Sequence, residues 1–155
     1  MSDALTYSEA RNAMFKHVNI KRKGDIAELL GYVPEVIWPG EISENPDNDR
    51  IYFRVSLQPS ESKRINHRRL KDSATDVHKE IGILCIEIFA PRSKGNKDSY
   101  NKMETAKELF KNVFRSNRIL KSLWFRYAVW TPLDPSINSF RSKLIVNYSY
   151  LEKQT

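Results

Sequence analysis

Between Ile51 and Tyr150 the hydrophobic period changes in a set order: two strand-like segments, one amphipathic helical segment, then two more strand-like segments. Half-buried strands and an amphipathic helix must share one core, so this order leaves few architectures open. It predicts an α+β fold, a mostly antiparallel sheet of four to five strands with the helix packed on one face.

The individual segments support that reading. In 51–58, Ile51, Phe53, Val55 and Leu57 share one side of a strand, while Tyr52, Arg54, Ser56 and Gln58 share the other. From His78 to Phe89 apolar and β-branched residues occupy both sides, as expected of a central strand. A helix is predicted from Asp98 or Ser99, its stripe formed by Tyr100, Met103, Ala106, Leu109, Phe110, Val113 and Phe114. Two aromatic-rich strands follow at 123–130 and 140–151, joined by a loop containing Pro132 and Pro135.

Ahead of the sheet, Ala10, Ala13, Met14 and Val18 recur at helical spacing, which predicts an N-terminal helix from Ser8 as N-cap to about Ile20. Lys21-Arg22-Lys23-Gly24 reads as its end, Asp25 to Leu30 as a second short turn, and Val36-Ile37-Trp38 as an extended piece entering a turn at Pro39-Gly40. With 155 residues, 40% of them hydrophobic, and no linker-like stretch, one domain over 1–155 is expected. The single Cys85 excludes an internal disulfide, and with no leader-like or spanning apolar run the chain is expected to be soluble, without a membrane partner, and made in a cytoplasm.

Sequence signals of catalysis are sparse. His17, His67 and His78 are scattered, none with a second ligand at metal-binding spacing, and the 5 glycines form no phosphate loop. Glu44, Asp47, Asp49 and Glu87 would be the carboxylates of a small metal-dependent nuclease, but three of them fall in a polar loop where a rigid two-metal site is hard to hold. No enzyme activity, cofactor or metal is expected.

The segments Ile51-Tyr52-Phe53-Arg54-Val55-Ser56-Leu57, Gly82-Ile83-Leu84-Cys85-Ile86-Glu87-Ile88-Phe89-Ala90-Pro91, Ala106-Lys107-Glu108-Leu109-Phe110 and Leu144-Ile145-Val146-Asn147-Tyr148-Ser149-Tyr150, with Val36-Ile37-Trp38-Pro39 before them, resemble the small tail-terminator-like proteins of long-tailed phages. The resemblance covers most of the chain and rests on order, strand length and the proline after the central strand. It implies a virion structural protein, a homo-oligomeric ring of six at the head-proximal end of the tail tube. Such a ring ends tail growth, touches the tube protein and the head-tail connector, and lets double-stranded DNA pass. Independently, Trp124, Tyr127 and Trp130 put aromatic surface on the strands beyond what one helix would cover, and are candidates for the subunit interface.

The segment at about 59–77 departs from that family and reads as a basic hairpin arm or loop. Lys63, Arg64, Arg68, Arg69 and Lys71, with His67, crowd it against only Glu61 and Asp72. Phosphate contact by a sequence-independent DNA-binding module is one use; a solvated arm, or one docked on an acidic neighbour, is the other. The formal charge of +7 suits either partner.

Overall fold

The computed structural model describes residues 3–41, 50–64, 77–92, 97–114, 117–135 and 139–153. The first helix, α1, spans Tyr7–Lys21. Its N-cap is Thr6 rather than Ser8: the Thr6 hydroxyl accepts from the Glu9 amide at 3.2 Å and the Glu9 carboxylate accepts from the Thr6 amide at 3.1 Å. Glu9 lies three residues after Thr6, which completes a reciprocal capping box that Ser8, with Arg11 at the corresponding place, has no means to form. The backbone bond to Thr6 holds the Glu9 carboxyl below its usual range. Thr6→Ala should therefore lower stability by about 1 kcal/mol, read as a reduced melting temperature.

The helical path does not stop at Lys21. It widens into a π-helical stretch, Arg22–Ile26, kinks at Gly24, and resumes as α2, Ala27–Leu30. Gly31, with φ of 82°, ends α2 in the left-handed conformation. Arg22 ties the kink to the following chain by donating to the Pro34 carbonyl at 3.2 Å.

Among the described residues six strands form one sheet: β1 (Glu35–Ile37), β2 (Tyr52–Arg64), β3 (Val77–Pro91), β4 (Asn117–Leu120), β5 (Leu123–Leu133) and β6 (Ser139–Lys153), in the order β1-β2-β3-β6-β5-β4. The protein is α+β as expected, but the sheet is larger than four to five strands. The additional members are the two edges: β1 pairs parallel with β2, and β4 folds back on β5. The other pairings among these strands are antiparallel, and β3 is internal, between β2 and β6. β2 also outruns its clear alternation, since Pro59 to Arg64 continue pairing with β3 across a bulge between Pro59 and Glu61.

Helix α3, Lys97–Val113, lies across β3, β6 and β5. Met103, Ala106 and Phe110, followed by Phe114, are buried against Phe53 and Val55 of β2, Leu84, Ile86 and Ile88 of β3, and Leu144 and Val146 of β6. Ala10, Met14 and Val18 of α1 belong to the same core. Leu30 of α2 joins it too, so the described α-helices all contribute to one side of the sheet.

The N-terminal segment is stitched into the sheet as well. Leu5 donates to the Leu151 carbonyl at 2.8 Å and accepts from the Lys153 amide at 2.9 Å, extending the sheet beside β6 where β5 has not yet begun. Ser122, in the turn before β5, donates to the Asp3 carbonyl at 2.7 Å and accepts from the Leu151 amide at 3.0 Å.

Near that end of the sheet, burial pushes the Tyr148 hydroxyl up to about 12 and raises Tyr150 as well. A phenol whose folded pKa exceeds its unfolded value near 10 contributes stability below that value. Stability is therefore expected to fall as pH climbs from about 10 through about 12. An alkaline titration should show these tyrosines ionising late, as the protein unfolds. Two ordinary phenol titrations in the folded protein would contradict it.

Candidate functional site: an uncovered sheet face and its rims

The described helices all lie on one side, and among the described residues the other face of the sheet carries no helix. Its alternation is fixed by the strands: Tyr52, Arg54, Ser56 and Gln58 on β2 line up with Phe89, Glu87, Cys85 and Ile83 on β3, and these with Arg141, Lys143, Ile145 and Asn147 on β6. At one end Tyr52 and Phe89 stack with ring centroids 4.5 Å apart, and Ile37 completes a small buried cluster with them. Arg54 and Arg141 lie 5.4 and 5.5 Å from the Phe89 ring centre. Arg141 also reaches the Glu87 carboxylate at 3.5 Å.

Farther along the face the polar cover thins. Cys85 is buried and free, beside the half-buried Ile145. Val129, across from Ile145, is 51% exposed, and Trp124 is 45% exposed. Exposed large apolar groups on a regular surface mark places where a macromolecular partner gains most by excluding water.

The three aromatic residues expected at an interface therefore part company. Trp124 stands on the uncovered face. Trp130 faces the helices: its Nε1 donates to the Lys107 carbonyl at 2.7 Å, and the Lys107 ammonium lies 5.6 Å from its ring. A bulge between Phe125 and Ala128 reverses the alternation between the two tryptophans. Tyr127 lies in that bulge, its side chain outside the described ones.

Of the basic cluster, Lys63 and Arg64 are placed at the end of β2, in register with Lys79 and His78 of β3. His67, Arg68, Arg69 and Lys71 lie outside the described residues, as do Glu44, Asp47 and Asp49. Glu87 is engaged with Arg141, while His17 packs edge-on to Phe114 at 5.5 Å. At the far end of the sheet Glu152 is hydrogen-bonded to Glu80, and burial, that bond and the neighbouring charge raise its pKa, with His78 opposing. Among the described residues no group of three or more His, Cys, Asp or Glu side chains is gathered to hold a metal ion. None of the described helices is long and apolar enough to cross a membrane.

Neither a family model nor a curated protein sequence matches this chain. Nine solved chains do match it in structure. One of them, whose name states no activity, superposes with a TM-score of 0.63 over 98% of each chain at 14% sequence identity. At that identity the likeness concerns the fold.

Proposed function

We propose that the chain is a structural subunit that assembles with copies of itself into a closed ring, of the kind that ends a phage tail tube and offers a face to the head. The observation that carries this reading is the sheet itself: among the described residues, six strands, helices on a single face, and Trp124 and Val129 exposed on the other. A lone subunit leaves that surface in water, whereas neighbouring subunits or the tube would cover it. The order of elements that resembles tail terminators supports the specific assignment to a virion tail, with the tube protein and head connector as partners and duplex DNA passing through the lumen. In this role the protein works by shape and binding, without a catalytic step.

The DNA-binding alternative draws on Lys63 and Arg64, which a paired strand carries at the end of β2. It requires salt-dependent DNA binding that is lost on changing Arg64, Arg68 and Arg69.

Native mass measurement and electron micrographs of the purified protein test the leading reading. Closed rings of uniform copy number are expected. A protein that stays monomeric across protein and salt concentrations would overturn it.

A further inference from the structure

The sheet ends in two rims, β1 on one side and β4 on the other. Their charges are of opposite sign. The chain that builds the first rim, residues 27–41, contains Glu28, Glu35 and Glu41 and no lysine or arginine. The chain that leads into and out of the second, residues 109–133, contains Lys111, Arg115, Arg118, Lys121 and Arg126 and no aspartate or glutamate. Glu28, Glu35 and Glu41 are exposed, and so are Arg118, Lys121 and Arg126. Charges of the other sign lie nearby on both sides: Arg50 shares a small cavity with Glu35 and Arg22 donates to the adjoining Pro34 carbonyl, while Glu9 lies close enough to Lys121 to sense its charge. Lys16, exposed on α1, adds to the basic side.

Apolar groups accompany the charges. Val33, just before β1, is 53% exposed. Beside β4, a groove of about 500 Å³ opens between that strand and α1, lined by Ala13, His17, Ile20, Ile119 and Leu120 among others. Ile20 and Leu120 are 63% and 39% exposed.

From this we infer that copies of the chain join head to tail, the acidic β1 rim of one subunit meeting the basic β4 rim and its groove on the next. The inference rests on the self-assembly proposed above and assigns its contact surfaces. Because the two patches differ, the contact is heterologous: each subunit keeps one rim of each kind available, and the series ends only by closing on itself. Opposite charge also fixes orientation, since acidic against acidic or basic against basic places like charges together.

The test is a charge exchange read by native mass spectrometry and sedimentation. One variant carries Glu35→Lys with Glu41→Lys, a second carries Arg118→Glu with Lys121→Glu, and a third carries all four changes. These side chains are exposed and the changes remove only two local hydrogen bonds, Arg118 to the Lys121 carbonyl and the Trp38 amide to Glu41, so melting temperatures within a few degrees of the parent are expected, and they verify that each variant is folded. Each two-site variant alone should associate about a hundredfold more weakly than the parent. Mixed in equal amounts, the two should regain assemblies of parental size containing both variants in equal number, and the four-site variant should assemble by itself. Two-site variants that assemble alone like the parent would overturn the rim assignment while leaving the ring reading standing, as would a mixture that fails to recover. A parent that is itself monomeric removes the ring reading and the rim assignment together.

Discussion

Phe110→Ala should lower the stability of the subunit by about 3–5 kcal/mol, among the largest losses expected from a single truncation. Phe110 is fully buried on the inner stripe of α3. Its ring meets Phe53 of β2 edge-on at 5.1 Å and stacks near Phe114 at 6.3 Å, so it joins helix to sheet and to its own next turn. Removing it takes away both the transfer free energy of an aromatic side chain and the contacts of the surrounding wall, which a helix packed on a rigid sheet relaxes into only partly. Since whole domains are stable by only about 5–15 kcal/mol, the melting temperature should drop by about 10 °C or more. An unchanged melting curve would show that α3 is not packed on the sheet in this way.

The second large effect is expected at Gly82, for a different reason. Gly82 lies within β3, directly opposite Tyr148 of β6, and the tyrosine ring lies across the space that a side chain would need. A β-carbon built there would come 2.3 Å from the Tyr148 hydroxyl oxygen, 2.5 Å from the ring carbon bearing it, and 2.9 Å from the Gln58 carbonyl oxygen. Tyr148 is buried, so its ring has little room to retreat. Gly82→Ala should destabilise by about 2–3 kcal/mol through overpacking, although alanine is otherwise the better strand residue. Combining it with Tyr148→Leu discriminates the cause: the alanine should cost at least about 1 kcal/mol less in that background. Strict additivity of the two changes would indicate that the ring is not the obstacle.

Much of this architecture could be read from side-chain periodicity, because most elements bury one face. The alternation of Ile51, Phe53 and Val55, the apolar run through Leu84 and Ile86, and the stripe of Met103, Ala106 and Phe110 correspond to buried positions at the start of and on β2, on β3 and on α3. Elements whose stability comes from pairing rather than burial were harder to see. β4 is four residues long and begins with Asn117 and Arg118. It exists through its pairing with β5, across a turn in which Lys121 adopts a φ of 48° and its carbonyl accepts from Arg118. Likewise Pro59 to Arg64 and Thr131 to Leu133 are polar or proline-bearing, yet neighbouring strands hold them extended.

The candidate site was legible only in part. Trp124 and Trp130 lie six positions apart, so a strict period of two predicts one face for both; the bulge at Phe125/Ala128 inserts one residue and sends them to opposite faces. The opposite charge of the chain at 27–41 and 109–133 is plain in the sequence, but becomes meaningful only when strand order places these segments at the two rims. Thr6 was identifiable from Glu9 three residues later, a stronger cap signal than a lone serine.

The clasp of Asp3 and Leu5 to Ser122, Leu151 and Lys153 carries a consequence for the order of events during synthesis. Leu5 is made well before Leu151 and Lys153, so its segment must wait while nearly all of the chain between them appears. Native contacts of such long separation are slow to close, and until they do, α1 lacks its anchorage at one end. Chains interrupted before residue 151 should therefore leave α1 untethered at that end, with its apolar stripe accessible to chaperones or proteases.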